Sequence, residues 1–308
     1  MRRLVVLLGT SALLLVGLSA CGENDGDTGS NTGKVTVSGE FGKQPKVTYD
    51  GELDQEDTET TVITEGTGPK VEDGGTAMVH LYIGNGYTGE QALSTWDQKT
   101  PQVVPIDKNT LPALREAIAG QPAGSRVQVL ATPKDAFDGQ GNPDLYIGNG
   151  DSVVFVVDIL DSVMDGPEGS EKKAPASAPE VVEKDGKVTG LDFSNAGKPS
   201  KKLKVITLTE GEGAPIEKKS YAVVRYLGQT YDGKKPFDES FSSDTLEARQ
   251  VGVGGYIKGW DKGLIGVKAG SRVMILVPPS EGYGKAGQGK QIQGDDTLAF
   301  VIDVLAVH

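Results

Sequence analysis

Histidine and cysteine are nearly missing from this chain. Its 308 residues include two His, His80 and the terminal His308, and a single Cys at position 21. That stock cannot build a zinc site of the usual kind, and it gives little support to a Cys/His/Asp catalytic arrangement. Aromatic residues make up only 6% of the chain, against 43 Gly, a balance that favours turn-rich β structure over helical bundles. Positive charge is also in deficit, with a formal net charge of −12 at pH 7. An acidic surface of this kind repels phosphate backbones and anionic headgroups, which argues against nucleic acid as a partner.

What is present begins with an address. Arg2 and Arg3 precede the apolar run LVVLLGTSALLLVGLSA, which is short for a membrane span, and the chain then turns polar and Gly/Asp-rich. Residues 1–20 therefore read as a secretory signal segment. The run closes on Leu-Ser-Ala-Cys, which resembles a bacterial lipobox and implies cleavage before Cys21 and lipid attachment to it. An ordinary secretion signal with an incidental cysteine, or an uncleaved anchor, are the other readings. Residues 21–34 then form a flexible tether that holds the protein at the outer face of the cytoplasmic membrane.

The remainder repeats. TLPALREAIAGQPAGSRV (110–127) and YIKGWDKGLIGVKAGSRV (256–273) have equal length and the same last five residues. ITEGTG (63–68) answers LTEGEG (208–213), and DSVVFVVDIL (151–160) answers DTLAFVIDVL (296–305). Offsets near 145 residues mean that a whole domain is duplicated, not a solenoid unit. The expected boundaries are 35–164 for the first domain and 201–308 for the second. Residues 165–200, with their Pro, Ala, Ser and charge, read as a linker.

Within the second half, YAVVRYLG, SRVMILV and TLAFVIDVLAV carry strand patterns, with Leu298, Phe300, Ile302 and Val304 on one face of the last. GWDKGLIG has room for only a short helix. The fold class is therefore α+β, each domain an antiparallel twisted sheet wrapped around one short helix. Five aromatics, Tyr226, Phe237, Trp260, Tyr283 and Phe300, fall on five different elements. Singly, each reads as core filler. Together with the acid of PFDES and the Gly-rich SEGYGKAGQGKQIQG, they suggest one meeting place if the sheet wraps the helix.

Residues 201–308 resemble an FKBP-type peptidyl-prolyl cis-trans isomerase domain over essentially their whole length. The signatures are VVRYLG, DGKKPFDES, GYIKGWDKGL, GSRVMILVPP, GYGKAGQG and TLAFVIDVL, in the family's order. The resemblance implies catalysis by Tyr226, Asp238, Tyr283 and Phe300, with Phe237, Tyr256, Ile257, Trp260 and Ile292 holding the substrate. It implies no cofactor and no metal, because turning an X-Pro bond forms no covalent intermediate. The implied partners are unfolded or nascent secreted chains with X-Pro bonds, and macrolides are further ligands of this pocket type. The sequence departs from the family pattern at Glu247, where an aromatic is common, at Gln288, where a His is common, and at Tyr256, which replaces a small aliphatic.

The same register through the first half sets Leu81 against Tyr226, Ala92 against Phe237, Leu93 against Asp238, Leu114 against Trp260, Phe137 against Tyr283 and Phe155 against Phe300. The acid, the hydroxyls and the indole are gone while apolar bulk remains. The first domain is thus expected to be a degenerate, non-catalytic copy, serving as a spacer or client-binding module. The expected function is an isomerase that assists folding of secreted proteins. The alternative is a non-catalytic chaperone or adaptor lipoprotein that binds proline-containing segments.

Overall fold

The computed structural model describes residues 33–308. The signal segment, Cys21 and nearly all of the tether lie outside the described residues. No helix among the described residues is long and apolar enough to cross a membrane.

The first half contains β1 (Lys34–Ser38), β2 (Lys46–Asp50), β3 (Glu59–Thr64), β4 (Thr76–Asn85), β5 (Gln91–Ser94), β6 (Gln102–Pro105), β7 (Arg126–Ala131) and β8 (Val153–Val163), with helices α1 (Thr95–Gln98), α2 (Pro112–Ile118) and α3 (Pro133–Phe137). The second contains β9 (Gly169–Glu171), β10 (Glu180–Lys184), β11 (Lys187–Asp192), β12 (Lys204–Gly211), β13 (Tyr221–Thr230), β14 (Pro236–Glu239), β15 (Glu247–Gln250), α4 (Lys258–Gly263), β16 (Arg272–Val277) and β17 (Leu298–Val307). The first sheet runs β3-β7-β8-β4-β5, with β6 also on β4. The second runs β14-β13-β17-β16-β12-β9, with β15 also on β13. Every named pairing is antiparallel. The expectation of one helix per domain is corrected for the first half, where α1 and α3 add short helices next to α2.

Each sheet has two covered faces, which is why β17 is buried along its whole length. Its even-numbered residues Leu298, Phe300, Ile302 and Val304 join Trp260 and Leu264 of the helical segment in one core. Ala299 and Val301 point the other way, into a separate cluster. Successive strand side chains alternate faces, so a strand between two apolar layers reads as a continuous hydrophobic run. The helix lies close because α4 presents glycine to the sheet: a Cβ on Gly259 would come within 2.5 Å of Val277 Cγ1.

The outer layer corrects the linker reading. Residues 180–192 form the hairpin β10-β11, and Ala178, Val188 and Leu191 are buried against Leu227, Met274, Leu276, Ala299 and Val301. β9 pairs with the edge of β12. The span is poor in apolar residues, yet the few it has meet a sheet face that would otherwise be wet, and burying them stabilises the arrangement. The first half has the counterpart: β1-β2 lays Val35, Val37, Val47 and Tyr49 over Tyr82, Val154 and Val156. The duplicated unit is therefore a hairpin plus a helix-bearing sheet.

The arginine of the repeated Ala-Gly-Ser-Arg-Val locks both hairpins. Arg126 grips Asp158 through two hydrogen bonds, Nε to Oδ1 at 2.6 Å and Nη2 to Oδ2 at 2.7 Å, and donates to the carbonyls of Gly39 and Lys43 at 2.9 and 2.6 Å. Arg272 grips Asp303 at 2.5 and 2.8 Å and reaches Glu183 on β10. Bidentate guanidinium–carboxylate pairs are the strong, geometrically specific kind.

The halves also pack against each other. Met78, Leu160 and Val163 share a buried cluster with Val223, Leu305 and Ala306. The Tyr221 hydroxyl donates to the Lys99 carbonyl at 2.9 Å, and the Met164 N–H donates to the Leu305 carbonyl at 3.0 Å. Burial lowers the pKa of His80 and of His308 at this junction, and the charge of His308 lowers that of His80 further.

Candidate functional site

A hollow of about 460 Å³ opens in the second half between β13, β14, β15, β17 and the segment leading into α4. Tyr226, Phe237, Asp238, Tyr256, Ile257, Trp260, Tyr283 and Phe300 border it, residues brought from six parts of the chain.

Trp260 lies at its base, 4% exposed. Three rings stand around the indole: Tyr226 at 5.2 Å and Phe300 at 5.3 Å, both edge-on, and Tyr256 at 5.0 Å, tilted. Phe237 meets Phe300 edge-on at 5.7 Å. Edge-to-face packing suits the aromatic quadrupole and fixes ring orientation. Ile257 is the residue that starts the α4 turn, and its extended backbone leaves its N–H without an acceptor among the described residues.

Phe237 and Asp238 are consecutive, and simple strand alternation would send one of them outward. A β-bulge resolves this: β13 pairs Gly228 with Asp238 but the next residue, Gln229, with Pro236, so Phe237 is the extra residue. Bulges re-aim side chains in this way. Asp238 Oδ2 then accepts a hydrogen bond from the Tyr226 hydroxyl at 2.6 Å. Burial, and then that carboxylate, push the Tyr226 pKa up; burial and Asp238 do the same to Tyr283. Both hydroxyls hold their protons and stay donors at neutral pH.

Gly228 lets Phe237 and Phe300, two walls of the hollow, pack close against β13, and the sequence reading missed it. A Cβ there would stand 2.7 Å from both Phe237 Cζ and Phe300 Cε1. Its glycine sits in VVRYLG, but only the cross-strand register shows what it faces. The rim residues Glu247, Arg249 and Gly255 were likewise not among the predicted substrate contacts. Ile292 is not among the residues that border the hollow; it is 5% exposed, in the core that also holds Trp260 and Phe300. Its loop doubles back through paired backbone bonds with Gln288, at 2.9 and 3.2 Å, and the side chain turns inward.

The first half repeats the frame and fills the space. β4 pairs Ile83 with both Leu93 and Phe155, as β13 pairs Gly228 with Asp238 and Phe300. The bulge recurs, with Gly84 opposite Gln91, so Ala92 stands where Phe237 does. The pair Gly228 and Phe237 has become Ile83 and Ala92: bulk has moved from the wall into the opening. Leu81, Ile83 and Phe155 are buried there, with Ala92, Leu93, Leu114 and Phe137 packed on them.

The family comparison agrees with this duplicated geometry. The model for "FKBP-type peptidyl-prolyl cis-trans isomerase" matches residues 68–160 and again 213–305. The "FK506-binding protein 2" of Dictyostelium discoideum is 33% identical over 120 residues, 38% of this chain and 90% of that protein. The "FK506-binding protein" of Streptomyces anulatus is 34% identical over 118 residues, 38% of this chain and 94% of that one. Among solved structures, that of FkpA from Escherichia coli is 32% identical, covering 36% of this chain and 50% of that one with a TM-score of 0.32. The chain belongs to the FKBP-type peptidyl-prolyl cis-trans isomerase family and carries two such domains. It is a peptidyl-prolyl cis-trans isomerase.

Proposed function

We propose that the second-half hollow is the catalytic centre, that the first half is non-catalytic, and that the enzyme isomerises X-Pro bonds of secreted chains outside the cytoplasmic membrane while held there by a lipid on Cys21. The observation that carries the catalytic assignment is the open, aromatic-lined hollow with an acid and two phenols in one half, against a filled core at the same place in the other. The membrane placement is supported by the signal-like run and by the Leu-Ser-Ala-Cys that closes it.

Rotation about the X-Pro bond meets a barrier of about 18–20 kcal/mol because resonance holds the amide planar. A site that binds the twisted amide more tightly than either planar form lowers that barrier. In this hollow Trp260 is the floor under the pyrrolidine ring, with Phe237 and Phe300 as walls. The Ile257 N–H and the Tyr283 hydroxyl hold flanking peptide carbonyls while one bond turns. Tyr226 and Asp238, already hydrogen-bonded to each other, face the carbonyl before proline as it leaves the amide plane. A ten-thousandfold acceleration needs about 5.5 kcal/mol, since each decade of rate is worth about 1.36 kcal/mol. Removing water and placing a few directed hydrogen bonds is of that order.

The test is exchange spectroscopy or protease-coupled turnover of a proline tetrapeptide by the full mature chain, beside Asp238→Ala/Tyr283→Phe. Loss of turnover with the fold intact supports the assignment; wild-type turnover by that variant overturns it. Membrane placement is tested by radiolabelled palmitate incorporation in a bacterial host, which Cys21→Ser abolishes if the anchor is correct.

A further inference from the structure

We infer that the hollow selects proline preceded by a cationic residue over proline preceded by an acidic one, because the unoffset carboxylate of Asp238 gives the rim a net negative sign that the Glu247–Arg249 pair tunes. The inference rests on the placement of catalysis in that hollow.

Three charged side chains border the hollow: the carboxylates of Asp238 and Glu247 and the guanidinium of Arg249. Glu247 and Arg249 are two apart on β15, so the strand presents both on one face, along the rim. The positive charge is engaged within the rim itself. Arg249 is ion-paired with Glu247, its guanidinium lies 5.8 Å over the Tyr256 ring, and Nη1 donates to the Gly255 carbonyl at 3.4 Å. The Asp238 carboxylate has a neutral partner, the Tyr226 hydroxyl, so its charge is not offset.

A third carboxylate stands behind the same wall. Asp261 accepts from the backbone N–H groups of Gly252 and Gly254, both at 2.7 Å, and so holds the loop that carries Gly255 and Tyr256. The neighbouring lysines Lys258 and Lys285 do not border the hollow. A substrate side chain beside the pyrrolidine therefore meets a rim of net negative sign, inside a chain whose own net charge of −12 draws cationic segments toward it.

The experiment measures kcat/KM on three tetrapeptides that differ only before proline, carrying Lys, Leu or Glu, with the full chain. The lysine peptide is expected to exceed the glutamate peptide by about three- to tenfold at low salt, the effect of one net charge at contact distance in a wet rim. The ratio shrinks as salt rises to about 0.5 M, because screening acts on exposed charges. Glu247→Gln lowers the ratio and Arg249→Gln raises it. Opposite movement by the two neutralisations separates charge from mere disturbance of the rim. A ratio of one or less, or movement in the same direction for both variants, overturns the preference. Turnover of the leucine peptide alongside an absent preference overturns this inference and leaves the catalytic placement standing; no turnover of any peptide overturns both.

Discussion

The two halves share a backbone and differ in where they put a handful of atoms. Both keep the bulge, the helix over the sheet, the covering hairpin and the buried arginine–aspartate clamp. One places glycine opposite two phenylalanines and keeps a hollow; the other places isoleucine there and has a packed core. The difference separates what the fold requires from what the chemistry requires. Clamp and hairpin serve the first, since without them an apolar sheet face is exposed. In the proposed assignment, the space above Trp260, with the acid beside it, serves the second.

The clamp gives the largest expected contrast. Arg126 and Asp158 are wholly buried, whereas Arg272 keeps 15% of its side chain exposed. Arg126→Met should destabilise the first half by about 3–5 kcal/mol, the usual cost of leaving a buried partner charge unpaired. Arg272→Met should cost less, because water reaches that site. Two-probe denaturant melts of each variant check this, and equal losses would break the contrast.

Next comes the pocket itself. Trp260→Leu with Asp238→Leu gives the second half the residues of the first at both places. Turnover should drop by about a hundredfold, equal to about 2.7 kcal/mol of transition-state stabilisation, and the melting temperature should fall as well, because Leu leaves part of the buried indole's volume empty. Tyr226→Phe is milder: it removes the hydroxyl that faces Asp238 and should lower kcat/KM by about tenfold, in line with about 1.5 kcal/mol for a hydrogen bond to a charged group. Because burial raises the Tyr226 and Tyr283 pKa values, the rate should also persist through about pH 10, where an ordinary phenol is already half ionised.

The smallest effect lies at the junction between the halves. His80 and His308 have folded pKa values below the ordinary 6.5, so the unfolded state binds more protons below that pH. Their contribution is complete above pH 6.5 and is lost as pH falls toward the folded values. Thermal unfolding followed from pH 7.5 to 5.5 should show a decline of up to about 1 kcal/mol, reduced in His80→Gln.

Much of this was legible in the sequence because the duplication exposes it. Residues kept at both copies, such as Arg126 and Arg272, belong to the frame; residues kept once, such as Trp260, stand at the hollow. The inward face of β17 followed from alternation alone. Three things did not. The hairpin at 180–192 has too few apolar residues to announce itself, and its strands are fixed by a sheet face distant in sequence. Ile292 turns inward because its loop folds back on Gln288, a feature of backbone pairing that composition does not carry. The exchange of Gly228 and Phe237 for Ile83 and Ala92 is visible only once cross-strand register shows that both positions face one space.

That exchange supplies the most direct measurement. Gly228→Ile with Phe237→Ala moves bulk from the wall into the opening, as the first half does naturally, and conserves most of the apolar volume. In the full chain this variant should keep its far-ultraviolet circular dichroism and its melting transition while isomerase turnover falls to the uncatalysed rate. Turnover near that of the unaltered protein, with the second half folded, would place the chemistry elsewhere and contradict the account.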